Sequence, residues 1–247
     1  MTGMRAAVLL GLTELKLLLR KKINAASVLG VPVAMCVVAY SNDRPDNAAD
    51  WGSMFANSFM IVLLVSTFLV STTVFTARRQ SLVLKRMRTA EITDAALIAG
   101  MVTPLIVVTL AQMLGYLAFC VAIGAPLPEN PLLALGGILL GAAIALLAGA
   151  ATASLSSSVE VTQITAMPVL VAALGGMIAG FSDSDLVRTI GMLMPLNGPT
   201  TMLAKGWGGG GAGIQLPEIA LVLPAGIALS MVVLGVITIR FYKWEPR

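Results

Sequence analysis

The run Trp51–Thr76, WGSMFANSFMIVLLVSTFLVSTTVFT, continues directly into Ala77–Asp94, ARRQSLVLKRMRTAEITD. The first stretch has no charged residue and exceeds the roughly 20 apolar residues that a helix needs to cross a bilayer. The second gathers Arg78, Arg79, Lys85, Arg86 and Arg88, and the chain then turns apolar again from Ala95 to Ile123. A basic insert between two bilayer-length apolar runs is the signature of a helical membrane protein. Composition agrees: 57% of the 247 residues are hydrophobic and only 11% are charged, less than half of the roughly one-quarter that a soluble domain carries. The mean hydropathy is +0.92.

Working outward from the insert, the sequence predicts an all-α integral membrane protein with six spans in one domain covering 1–247. Span 1 is Ile23–Tyr40, interrupted by Pro32, and span 2 is Trp51–Thr76, with Trp51 as an interfacial anchor. Span 3 is Ala95–Ile123. The Pro-rich turn Gly124–Pro131 leads to span 4, Leu132–Ala153, and a short polar link with Glu160 leads to span 5, Gln163–Phe181. Between Ser182 and Pro217 the apolar pattern is too short to cross. Asp185–Met194 reads as a short helix, Pro195–Pro199 as a break and Thr200–Lys205 as another turn or two, a re-entrant pair before span 6, Glu218–Arg240. Gly206–Gly211 reads as a flexible connector. Ahead of span 1, Met4–Lys22 repeats Val8, Leu12, Leu15 and Leu19 at helical spacing among charges, the pattern of an amphipathic helix lying on the membrane surface. It lacks the design of a cleavable leader and is expected to remain as an anchor.

Thirteen of the sixteen Lys and Arg fall on one side of this topology, leaving Arg44, Arg188 and Lys205 on the other. The positive-inside rule therefore predicts both termini in the cytoplasm. The net charge of +4 is accounted for by this distribution and gives no reason to expect nucleic acid as a partner. Cys36 and Cys120 lie in apolar runs without metal-ligand or disulfide spacing. With no histidine in the chain, Ser-His, Cys-His and His-based metal chemistry are excluded. There is no GxxxxGK[ST] loop, so any nucleotide hydrolysis belongs to another chain. No catalytic and no metal-ligating residue is expected.

Within the predicted boundaries the spans contain no ionisable residue of the kind that ion-coupled carriers keep at mid-membrane. Gln112 is the deepest polar residue, expected to hydrogen-bond between helices. The small residues of Gly137xxxGly141, Gly141xxxAla145 and Gly175xxxAla179 are expected to let helices approach closely, with contact between two copies as the alternative. Asn57, Ser58, Ser66 and Thr67 in span 2 are candidates to line a path for a solute, although such hydroxyls also satisfy local backbone. In the insert, Leu82, Val83, Leu84 and Met87 form an apolar ridge among the charges. A loop needed only to set topology has no use for a ridge, whereas an amphipathic helix that docks in a partner's groove has.

Arg78–Thr89, RRQSLVLKRMRT, resembles the pattern R-E-x-G-x-L-K-R-L-R-x-T-P that follows the second span in ABC transporter permeases of the type-2, daunorubicin-resistance-like class. Met192–Thr200, MLMPLNGPT, is similar to the proline-containing segment before the last span of the same class. Gln80 stands where the pattern has an acid, and Ala90-Glu91 where it has proline. The resemblance implies that 77–94 is a coupling helix, through which Arg79, Gln80, Leu82, Leu84, Lys85, Arg86, Met87, Arg88 and Glu91 meet an ATP-binding subunit. It also implies two such subunits, holding ATP and Mg, with no cofactor on this chain. A second permease copy, or a related one, would complete a path along spans 2 and 5 in the cytoplasmic (inner) membrane of a bacterium. The implied function is export of a hydrophobic or amphipathic substrate. Two other readings remain at this stage: a membrane scaffold or sensor that moves nothing, and an ion-coupled carrier.

Overall fold

The computed structural model describes residues 20, 22–80, 94–208 and 216–241. Most of the expected surface helix over 4–22 and most of the coupling helix over 77–94 therefore lie outside the described residues. Among the described residues every regular element is helical and none is a strand. α1 is Lys22–Ser41, α2 Ala48–Gln80, α3 Asp94–Ala122, α4 Pro131–Leu155, α5 Thr162–Ala179, α6 Asp185–Leu193, α7 Asn197–Lys205 and α8 Leu216–Phe241. Five of these, α2, α3, α4, α5 and α8, are long and apolar enough to cross a membrane, and α1 adds a shorter apolar stretch, Ala25–Ser41.

Local chemistry sets the boundaries. Asn47 starts α2 by accepting a hydrogen bond from Asp50 N at 2.9 Å on its side-chain oxygen, so the helix begins three residues before Trp51. Asn130 caps α4 in the same way through Leu133 N at 3.1 Å, with Pro131 at the first helical position, where its missing N–H is harmless. Prolines also sit inside α1, α3, α5 and α8, where each removes one backbone donor. In α1 the carbonyl left over by Pro32 is that of Val28, four residues earlier. Gln112 of α3 fills the gap, its Nε2 donating to Val28 O at 2.6 Å and to Ser66 Oγ at 3.0 Å. The expected interhelical role of Gln112 thus has a specific cause.

α2 is the axis of the bundle. Of its apolar stretch 72% is buried, against 22% for α5 and 17% for α8. Halfway along, Val62–Phe68 widens into a π-helix, a form that leaves one extra residue in the turn. Thr67 Oγ1 lies 2.8 Å from Thr109 Oγ1 of α3 at this point, and Ser66 Oγ donates to Ser27 O of α1 at 3.2 Å. Ahead of the π segment, Phe55 stacks on Trp207 with ring centroids 4.5 Å apart and meets Tyr116 edge-on at 5.6 Å.

Two expectations are corrected here. Trp51 is not an interfacial anchor: it is buried, its ring 6.3 Å from that of Phe55. Trp207 does not belong to a loose connector, because its ring is buried against Phe55 and its Nε1 donates to Pro126 O at 2.8 Å.

Of the two short helices, α7 lies inside the bundle, whereas α6 leaves Leu186, Val187 and Ile190 exposed. α7 starts at Asn197, earlier than Thr200, since Pro199 falls in its first turn and breaks nothing. The chain reverses between α6 and α7 at Leu196, whose φ of 70° is in the left-handed region. That costs a non-glycine residue about 1–3 kcal/mol, and the fully buried side chain of Leu196 offsets it. α7 is seated among α2, α4 and α8. Its approach to α4 depends on Gly137, where an added Cβ would lie 2.8 Å from both Leu203 N and Pro199 O. Gly141 likewise admits the ring of Phe59. The small residues of span 4 are therefore packing surfaces. In span 5 the contact falls on Gly176, against Gly191 and Asn197, while Gly175 faces open space.

Candidate functional site

The final turn of α2 carries Arg78, Arg79 and Gln80, the first residues of the expected coupling region. Since the helix continues to Gln80, these side chains are carried on its last turn. Arg79 is only 2% exposed. The reason lies at the end of α4, whose last carbonyls have no partner further along the helix. Arg79 Nη1 donates to Ser154 O at 3.3 Å and its Nη2 donates to Ser156 O. Beside it, Gln80 Nε2 donates to Ser157 O at 3.5 Å. A cation at a helix C-terminus also complements the helix dipole. The guanidinium fork is suited to two carbonyls at once in a way that an ammonium is not.

The link that follows α4 runs 156–161. Ser156 Oγ donates to Thr152 O at 2.8 Å, and Val161 N donates to Ser158 Oγ at 3.4 Å. Glu160 is the ionisable residue here, and a hydrogen bond from the Ser158 hydroxyl holds its carboxyl below the ordinary value. One turn back on α2, the buried Thr76 Oγ1 has no hydrogen-bond partner among the described residues. Leu82, Leu84, Lys85, Arg86, Met87, Arg88 and Glu91 lie outside the described residues.

The four residues proposed from sequence to line a path divide between two faces of α2. Ser58 Oγ donates to Tyr116 Oη at 3.0 Å, and Ser66 and Thr67 make the contacts to α1 and α3 given above. Asn57 points elsewhere, bordering a cavity of about 170 Å³ together with Ser53, Arg188, Asn197, Thr200 and Thr201. This cavity lies where α2 meets α5, α6 and α7. Arg188 pairs with Asp185 one turn earlier on α6, and Asn197 Nδ2 donates to Ala173 O of α5 at 3.1 Å. Arg188, Asn197 and Thr200 escaped sequence reasoning because they come from short helices whose seating depends on distant glycines. A larger groove of about 850 Å³ between α1 and α3 is almost wholly apolar, with Leu29, Val33, Val37, Val107 and Phe119 on its walls.

These features define a multi-pass helical membrane protein in which a central, buried helix leads straight into a basic insert. Family comparison makes the class specific: residues 24–241 match the model of the ABC-2 family transporter protein, and the chain belongs to that family. No curated protein and no solved structure matches it. The chain is accordingly the membrane permease component of an ABC-2 type transporter. It has no ATPase site of its own and works with ATP-binding subunits.

Proposed function

We propose that this permease is an exporter of the daunorubicin-resistance-like type, moving a hydrophobic or amphipathic substrate across the cytoplasmic membrane of a bacterium. Two copies, or one copy and a related chain, assemble with two ATP-binding subunits that hold ATP and Mg. Both termini and the 77–94 insert face the cytoplasm, in keeping with thirteen of sixteen basic residues on that side. The observation that carries the reading is that the most buried span is helical to Gln80 and is followed directly in sequence by Leu82, Leu84 and Met87 among Arg86 and Arg88. A docking segment that follows directly on the axial helix is what a soluble motor needs in order to move the bundle. The cavity beside Asn57, bordered by α2 and α5, supports a path along those two spans.

The test is to replace Leu84 and Arg86 by Asp in the same chain. Co-purification of the ATP-binding subunit and ATP hydrolysis by the complex in lipid should each fall about tenfold, as for removal of a central interface contact. Wild-type values for both overturn the coupling role. Intact binding with no ATP-dependent transport of any amphipathic cation or lipid offered to wild-type complex favours a scaffold instead.

A further inference from the structure

Arg79 stands in the stretch that sequence assigns to partner docking, yet its side chain turns inward. It is 2% exposed and spans Ser154 O and Ser156 O, while Gln80 reaches Ser157 O next to it. A guanidinium in this position cannot touch a soluble subunit without abandoning the end of α4. We propose that Arg79 is a positioning residue that latches α2 to the C-terminal carbonyls of α4, so that displacement of the insert is carried into α4 and the 156–161 link. The inference rests on the transporter reading above and adds to it the route by which force enters the bundle.

The neighbouring contacts extend the route. Behind the latch, α2 and α4 are sealed together: the Ser71 hydroxyl occupies the space that a Cβ on Gly149 would need. α4 is 25 residues long, about 1.5 Å each, and toward its N-terminal end Gly137 holds the backbone of α7 at Pro199 and Leu203. Through Asn197, Thr200 and Thr201, α7 borders the polar cavity. A tightly packed rod transmits displacement without absorbing it. Arg79 therefore links the insert at one end of the molecule to the polar cavity at the other. Gln80 supports it with a single amide donor that makes a longer bond, so Arg79 carries most of the connection.

The experiment uses the permease in complex with its ATP-binding subunit and reads backbone hydrogen exchange over 154–162, without nucleotide and after trapping with ATP and vanadate. Wild-type complex should change its exchange in this segment on trapping. Arg79→Gln should reduce that change about fivefold or more, the scale of a lost coupling interaction, while the ATP-binding subunit still co-purifies. Arg79→Lys should fall between, because an ammonium reaches two carbonyls poorly. A wild-type response in Arg79→Gln overturns the latch, and so does loss of co-purification, which would place Arg79 at the partner. If Arg79→Gln yields no folded complex, Arg79→Lys decides the matter alone: a folded lysine variant whose exchange response at 154–162 equals wild type overturns the latch. A wild-type complex that hydrolyses ATP with no exchange change at 154–162 overturns the latch and leaves the transporter reading standing. A wild-type chain that binds no ATP-binding subunit overturns both.

Discussion

The two halves of α2 are held by opposite chemistry. From Trp51 to Met60 its buried face is aromatic and apolar, packed on Trp207, Tyr116 and Leu203. From Ser71 to Arg79 the buried positions include Ser71, Thr72, Thr76 and Arg79, set against Gly149 and the serine carbonyls that end α4. The π segment lies between them. Apolar packing gains from many small contacts and loses them gradually, whereas hydrogen bonds to particular carbonyls are either made or broken. In lipid the apolar half has no hydrophobic drive toward its neighbours and depends on fit. The first half is thus built to stay closed, and the second to hold one discrete arrangement at a time. Trp207→Ala tests the first half and should have the largest effect. It removes the ring stacked on Phe55 and the bond to Pro126 O, at about 3–5 kcal/mol. Thermal unfolding of the purified protein in detergent measures it, and a loss no larger than that of a single hydrogen bond would break the contrast.

At the boundary between the halves, Gln112→Leu isolates the polar contribution. The substitution puts an apolar side chain of similar size in place of the amide and leaves Val28 O without its donor beside Pro32, at about 1–3 kcal/mol for an unsatisfied buried carbonyl. Adding Pro32→Ala to Gln112→Leu restores a backbone N–H to that carbonyl and should recover most of the loss. Thermal unfolding of both variants checks this. Failure of the second change to rescue the first would mean that Gln112 acts through Ser66, inside α2, and would move the boundary of the polar half.

How much of this was legible from sequence follows from which forces are local. The spans came from composition over about 20 residues, a signal that hydropathy carries directly, and span 4 is observed as Pro131–Leu155 against an expected 132–153. α2 extends beyond its apolar run at both ends because Asn47 caps one end and α4 shelters Arg79 at the other. The cap has a local signature, an Asn three residues before Asp50. The shelter has none, because Arg79 and Ser154 are 75 residues apart and a basic run normally reads as solvated. Trp207 was misread for the same reason: glycines around it give a loop signal, while its partner Phe55 lies in another span. The role of Gln112 was half legible, since one polar residue in an apolar helix calls for a partner and Pro32 supplies a carbonyl in need of one. The π segment leaves no mark in hydropathy, as all its residues suit either helical form.

The smallest effect is expected at the exposed rim of the polar half, and it sharpens the contrast by showing how little a solvated hydrogen bond contributes. Glu160 is fully exposed, and its carboxyl is held below the ordinary value first by the Ser158 hydroxyl and then by the backbone N–H of Glu160 itself. A depressed carboxyl pKa means that the fold favours the ionised form. Its contribution is therefore complete above the unfolded-state pKa and is lost as pH falls through the lower, folded-state value. The 156–161 link should hold its arrangement at neutral pH and loosen only on acidification below the ordinary value of 4.5. Ser158→Ala removes the larger cause, so the Glu160 midpoint should rise toward that value while the midpoints of other glutamates stay in place. Carbon-13 NMR of labelled glutamate carboxyls, with the Glu160 signal assigned by its disappearance in Glu160→Gln, follows the titration. An unmoved midpoint in Ser158→Ala would mean that the backbone alone sets it. Global unfolding should be the same in both variants at neutral pH, because this bond lies in solvent, unlike the carbonyl contacts of Arg79 a few residues away.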